Sequence, residues 1–369
     1  MKKYIIATIV MCILGALSVA LFLMTRNEDS GENLVSSVIT PVISQFVTPT
    51  PTVNVKTAPS TYVISSASHV GQTFNNCGPA SLSMALSYFG VNVSQDELRE
   101  QMRPFSNPAG GNDDKSVFAP EFVEYAQKYG MQSMARPNGT TELLKKLVAN
   151  DAPVVLRTWL HPNEDIGHFR IVRGYDDARG VFIQDDSYEG RNLEYSYSTF
   201  EEMWKPFNYG YILVYPLEKE AVVQAIIGED MDEKAAYTNA KERAEKGVAA
   251  NPNSGYDLFN LSTAYFHLGD AQKSVEYYER AQNSTLPARM MWYQYEPLEA
   301  YLQTGDYERV FALTDWIIGN NNTAFSEMYI LRGKAYQAQG NTQAARTEFE
   351  KAIYYNKNQK IAQEAVNSL

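Results

Sequence analysis

The stretch QTFNNCGPASLSMALSYFG, Gln72 to Gly90, joins two kinds of sequence at one residue. Ahead of Cys77 lies an Asn-rich loop. From Gly78 to Phe89 small and apolar residues run as a helix, until Gly90 offers a left-handed stop. A thiol at that junction feels the positive end of the helix dipole and unpaired backbone N–H groups. These lower a cysteine pKa from about 8.5 into the roughly 3.5–7.5 range of reactive thiols. A single cysteine is more often an inert core residue, so Cys77 acquires meaning only with partners.

Working outward, residues 61–216 read as one mixed α+β domain. Ser94, with Glu97 three residues on, forms a capping box for a short helix. Further helices fit Pro120 to Tyr129, halted by Gly130, and Thr141 to Ala149. The second half changes period: APVVLRTWL, HFRIVRGY, VFIQDD and GYILVYP are short β-branched and aromatic runs separated by turn residues, as strands are. Helices followed by an antiparallel sheet imply α+β and not a doubly wound fold.

The partners of Cys77 are sought among 4 histidines. His267 falls in a helical repeat as a surface residue, His161 precedes Pro162 in a charged loop, and His69 has no strand to hold it. His168 opens the strand HFRIVRGY, a rigid element able to hold an imidazole beside a thiol. The next strand ends in Asp185-Asp186-Ser187. A hairpin symmetric about Ala178 sets the even-numbered residues of both strands on one face, His168 with Asp186, and leaves Asp185 on the other. A one-residue slip exchanges the two aspartates. Gln72 can offer a side-chain amide, beside the Cys77 N–H, to the oxyanion formed when a thiolate attacks a carbonyl.

These residues, in QTFNNCGPASLSMALSYFG and GHFRIVRGYDDARGVFIQDDSYEG, resemble the papain-like cysteine peptidases related to the bacteriocin-processing, double-glycine-leader family. The resemblance implies a triad of Cys77, His168 and Asp186, with Gln72 completing the oxyanion hole. Two departures stand out: Ser187 replaces the proline that commonly follows the aspartate, leaving Asp185 or Asp186 open, and Gln72 sits slightly close to the cysteine. Transport-linked members are fused to exporters and ATPase modules, for which nothing here provides, so their leader-peptide substrate is not carried over.

On either side the composition changes. Residues 1–26 contain the uncharged run Tyr4 to Met24 behind Lys2 and Lys3, long enough to span a bilayer with the N-terminus cytoplasmic. The alternative is a signal peptide cleaved after Ser18-Val19-Ala20 and a secreted product. Residues 27–60 are rich in Ser, Thr, Val and Pro and read as a semi-rigid stalk. From 217 to 369 the pattern is helical, and Gly269-Asp270, Gly305-Asp306 and Gly340-Asn341 recur at intervals of 36 and 35 residues. The copies LFNLSTAYFHLGDAQKSVEYYERA and MYILRGKAYQAQGNTQAARTEFEKAI resemble tetratricopeptide repeats, which stack into a surface that binds proteins. The middle copy departs with Val310 and Thr314, and AYTNAKERAEKGVAANP looks like half of a degenerate leading repeat.

The 369 residues carry a formal charge of -11 without a basic run, which argues against nucleic acid, and 2 cysteines exclude a disulfide scaffold. HExxH, CxxC and Walker patterns do not occur, so no metal or cofactor is expected. The reading is a membrane-anchored, extracytoplasmic cysteine peptidase whose repeats bind protein. Its rivals are an amidase or transpeptidase on cell-wall peptides and an inactive binding scaffold.

Overall fold

The computed structural model describes residues 53–65, 67–105 and 117–369. Seven strands, β1 (Thr61–Val63), β2 (Gln132–Arg136), β3 (Val154–Trp159), β4 (Gly167–Asp176), β5 (Val181–Asp186), β6 (Gly190–Ser196) and β7 (Tyr211–Tyr215), form one antiparallel sheet. Its order is β2-β7-β3-β4-β5-β6, with β1 added to β4. The four expected strands become β3, β4, β5 and β7, the middle of the sheet. The edge strands β2 and β6 escape the sequence pattern because QSMAR and GRNLEYS present polar side chains to solvent and lack an apolar alternation.

Alternation along the central strands feeds two cores. Phe169 and Ile171 of β4 pack with Leu82 and Leu86 of α1 (Cys77–Ser87), with Leu98 of α2 (Gln95–Met102) and with Phe122 of α3 (Ala119–Lys128). On the opposite face Leu156 and Val172 meet Leu144 and Leu147 of α4 (Thr141–Ala149) and Phe200 and Trp204 of α5 (Tyr197–Trp204). Each such side chain contributes about 1.5–3 kcal/mol of burial, which holds α1 on the sheet and so fixes where Cys77 stands. Only half of the expected capping box forms. Ser94 accepts the Glu97 N–H at 3.1 Å, while the Glu97 carboxylate accepts from the Tyr129 hydroxyl at 2.9 Å.

After α6 (Glu220–Ile227), the helices α7 (Glu233–Ala250), α8 (Gly255–His267), α9 (Ala271–Gln282), α10 (Glu296–Thr304), α11 (Tyr307–Gly319), α12 (Ser326–Ala338), α13 (Thr342–Tyr355) and α14 (Lys360–Ser368) complete the chain. The recurring Gly-Asp/Asn dipeptide has a plain cause. Gly269, Gly305 and Gly340 adopt φ of +86°, +81° and +77° to end one helix. Asp270, Asp306 and Asn341 then cap the next by accepting the N–H of Lys273, Arg309 and Ala344. Gly333 is small because any Cβ there would lie 2.6 Å from the Phe349 ring. In the middle pair Val310 and Thr314 are fully buried, and the Thr314 hydroxyl donates to the Val310 carbonyl at 2.7 Å.

The expected domains 61–216 and 217–369 pack together within one compact unit, Val55–Leu369. Trp159, Met203 and Phe207 of the sheet region share a single apolar cluster with Phe259, Tyr293 and Phe325 of the repeats. Arg103 bridges Glu121 and Glu327 across the same junction, and Lys360 meets Glu124 at 2.9 Å. The last residues of the expected stalk also belong to this unit, since the Lys56 N–H donates to Asn150 at 2.9 Å and the Tyr175 hydroxyl to the Pro59 carbonyl at 2.8 Å. The expected membrane segment and most of the stalk lie outside the described residues. Among the described residues no helix is long and apolar enough to cross a membrane.

Candidate active site

Cys77 is the first residue of α1, and no acidic side chain occupies that helix's first turn. The loop before it is fastened by Gln95, whose amide donates to the Gly71 carbonyl at 2.8 Å and accepts from the Thr73 N–H at 3.0 Å and the Asn76 amide at 2.8 Å. Asn75 takes a left-handed φ of +54°, which asparagine tolerates and which turns the chain into the helix. Gly78 then passes so near Val117 that a Cβ would lie 2.8 Å from its side chain. The half-buried thiol is thus delivered by a loop with little freedom.

The β4–β5 hairpin brings the histidine and the aspartate together. Arg170, Ile171 and Val172 stand opposite Asp186, Asp185 and Gln184, as the symmetric hairpin requires. A bulge at Arg173 shifts the half nearer the turn by one residue, without disturbing the half that holds the site. His168 Nε2 lies 3.0 Å from each Asp186 carboxylate oxygen, and both side chains are buried. Asp185 faces the other way, accepting from Arg173 Nε and the Tyr88 hydroxyl, both at 2.9 Å.

Asp186 is held from four directions: His168, the Tyr188 and Glu189 N–H groups at 2.7 and 2.9 Å, and Arg170 Nε at 3.3 Å. Burial would raise its carboxyl, but the His168 hydrogen bond and the charges of His168 and Arg170 take it down to about 2. Burial would lower the His168 imidazole, but hydrogen bonds to Asp186 and Cys77, with their charges, raise it to about 9. Burial likewise opposes the Cys77 thiolate, and the hydrogen bond and charge of His168, then the Phe169 backbone and the Arg157 charge, outweigh it and hold the thiol below its ordinary value. Both shifts favour a thiolate beside an imidazolium over the neutral pair.

Of the four residues singled out in the sequence, His168 and Asp186 meet directly, and the Cys77 thiol lies near enough for His168 to act on its titration. Gln72 is anchored to Ser187, not to Cys77. Its N–H donates to the Ser187 carbonyl and its Oε1 accepts from the Ser187 hydroxyl, both at 2.8 Å. The serine that departs from the family's proline therefore orients the glutamine. His69, passed over for want of a strand, meets the Asp186 backbone carbonyl through Nε2 at 2.8 Å. His267 is more enclosed than a surface residue, stacked 3.9 Å from the Tyr237 ring. Arg170 escaped notice, although its place two residues after His168 puts it on the same side of β4. Arg157 comes to the site on β3, which pairs with β4 one residue from His168, whereas Tyr293 had no sequence signal, because only packing of the repeats brings it there.

Three exposed apolar side chains, Phe74, Ile166 and Tyr188, are close in sequence to Cys77, His168 and Asp186. Tyr188 meets the His168 ring edge-on at 6.5 Å.

Residues 45–212 match the Peptidase_C39 like family, and residues 258–284 and 326–359 match the tetratricopeptide repeat. The middle helix pair, with Val310 and Thr314, lies outside those matches. No curated protein matches. Similar solved structures include a crystal structure of MamA, at 20% identity over 38% of this chain and 81% of that one, with a TM-score of 0.33. Another is the peptidase domain of Streptococcus ComA, a bifunctional ABC transporter involved in quorum sensing, at 23% identity over 40% of this chain and 96% of that one, with a TM-score of 0.31. The chain carries a Peptidase C39-like domain followed by tetratricopeptide repeats.

Proposed function

We propose that the chain is a cysteine peptidase working through Cys77, His168 and Asp186. The observation that carries this reading is the buried His168–Asp186 contact at 3.0 Å, with the imidazole and the Cys77 thiol, at a helix start, each shifting the other's titration. The Cys77 thiolate attacks the scissile carbonyl carbon, forming a C–S bond and an oxyanion. The Cys77 N–H and the Gln72 amide steady that oxyanion. The imidazolium returns its proton to the leaving amine as the C–N bond breaks. His168 then takes a proton from water, which attacks the thioester and frees the acid and the thiolate. Asp186 keeps the imidazole oriented throughout. Phe74, Ile166 and Tyr188 offer apolar contacts to substrate residues beside the scissile bond.

The apolar run Tyr4 to Met24 behind two lysines supports placement on the outer side of a membrane, held by an uncut N-terminal helix. The repeats are read as a surface for a protein partner or substrate. Cys77→Ser is expected to abolish both hydrolysis of unfolded protein substrates and labelling by a thiol-directed peptidyl electrophile. Hydrolysis at the unsubstituted rate in that variant overturns the proposal. Assaying cell-wall peptides alongside separates peptidase from amidase or transpeptidase activity.

A further inference from the structure

Arg157 is a cation in an unusual setting. It lies on β3, opposite Phe169 and next to the residue that pairs with His168. Its guanidinium stacks 4.4 Å from the Phe169 ring and within 6 Å of the Phe118 and Tyr293 rings. Nη1 donates to the Tyr293 carbonyl at 2.8 Å and Nη2 to the Val117 carbonyl. Among the described residues no carboxylate comes within ion-pair distance of it. Desolvating a cation against carbonyls and rings alone is costly unless an anion completes the site.

The two residues that hold Arg157 show where that anion stands. Val117 presses on Gly78, the neighbour of Cys77, where a Cβ would lie 2.8 Å from its side chain. Tyr293 presses on Gly167, the neighbour of His168, where a Cβ would lie 2.8 Å from its ring. The guanidinium is therefore strung between the backbones that carry the thiol and the imidazole. Tyr293 comes from the repeats, between the short 3-10 turn Ala288–Trp292 and α10, and it shares the apolar cluster of Trp159 and Phe207. Behind Arg157 lies a cavity of about 550 Å³, walled by sheet and repeats and reached also by Glu296 and His267.

We propose that Arg157 is the counter-charge of the Cys77 thiolate, and that the repeats hold it there through Tyr293. The repeats are then a working wall of the reactive site as well as a docking surface. The inference rests on the reading of Cys77 as a reactive thiol. The charged and titratable groups that share this space are His168, Tyr293, Glu121 and Glu296, and the field of Arg157 adds to that of His168 in favouring the thiolate. Arg157 is a positioning residue in this account, acting on substrate only through Cys77.

The test is the pH profile of Cys77 alkylation by iodoacetamide in the full chain, with the second cysteine, Cys12 of the apolar run Tyr4 to Met24, replaced by Cys12→Ser and melting curves to monitor the fold. Arg157→Gln is expected to move the midpoint upward by about one pKa unit, a tenfold change in the thiol–thiolate equilibrium constant. Arg157→Lys keeps the charge and is expected to stay near the unsubstituted midpoint. Tyr293→Ala, which loosens the seat of the guanidinium, is expected to fall between them. A folded Arg157→Gln protein with an unmoved midpoint overturns the inference. Should that variant not fold, an Arg157→Lys midpoint as high as that of the urea-unfolded chain overturns it equally. Alkylation requires no substrate, so a midpoint that moves in a protein that cleaves nothing overturns the peptidase reading and leaves the counter-charge standing.

Discussion

Replacing Asp186 with asparagine tests the central geometry, because the structure assigns different consequences to stability and to reactivity. The Asp186–Arg170 pair is fully buried on both sides, with Nε 3.3 Å from Oδ2. Removing one partner of a buried pair costs roughly 3–5 kcal/mol, because the other charge stays behind without compensation. The rise of His168 from 6.5 to about 9, shared between Asp186 and Cys77, is of the same order at about 1.4 kcal/mol per unit. The carboxamide that replaces the carboxylate can still accept the Tyr188 and Glu189 N–H groups through its one carbonyl oxygen, so the turn after β5 survives. The expected result of Asp186→Asn is a melting temperature lower by roughly 10 °C. Hydrolysis is also expected to fall sharply, with an alkaline limb moved from about 9 toward the ordinary histidine range. The control is Asp185→Asn, which breaks the nearly buried pair with Arg173 at 2.9 Å. It should destabilise comparably while leaving the pH profile where it was. Melting curves and pH–rate profiles for both variants decide the matter. A folded Asp186→Asn protein with undiminished hydrolysis, beside an inactive Asp185→Asn, would contradict this assignment and transfer the role to Asp185.

The pH dependence of the unsubstituted protein follows from the same two residues. His168, raised from 6.5 to about 9, contributes stability that is complete below about pH 6.5 and is lost as the pH climbs through about 9. Asp186, depressed from 3.8 to about 2, contributes stability that is complete above about pH 3.8 and is lost as the pH falls toward 2. A plateau of folding stability between those limits is expected, with hydrolysis lost near pH 9 as the imidazolium deprotonates. An alkaline limb two units lower would contradict the His168 environment. At the junction of sheet and repeats, Arg103→Met leaves Glu121 and Glu327 facing each other without their cation, and should cost roughly 3–5 kcal/mol in thermal or urea unfolding. Burial and the nearby Glu327 already raise Glu121 to about 7. Adding Glu121→Gln should therefore recover part of that loss, and a double variant no more stable than Arg103→Met would show that the ion triad is not what joins the two regions.

Elements whose causes are local are legible in the sequence alone. Gly90 and Gly130 end helices, the Gly-Asp/Asn dipeptides mark each passage from one repeat helix to the next, and β-branched runs identify β3, β4, β5 and β7. Alternation in a hairpin is enough to set His168 and Asp186 on one face, and the bulge at Arg173 spares that result because it lies on the turn side of the site. Local pattern leaves a one-residue slip between Asp185 and Asp186 open; the β4–β5 register sets Asp186 with His168, and only the folded chain reveals that each aspartate has its own arginine.

The surroundings of the site depend on the folded chain. His69 reaches Asp186 across 117 positions of chain, and Arg157 reaches Tyr293 across 136, separations over which no periodicity or spacing carries information. The same holds for the union of sheet and repeats. Each reads as a self-sufficient unit because each carries its own repeating apolar pattern, yet Trp159, Phe207 and Tyr293 are buried in one shared cluster. Apolar surface is satisfied by whatever covers it, and which surface covers which is settled by long-range packing.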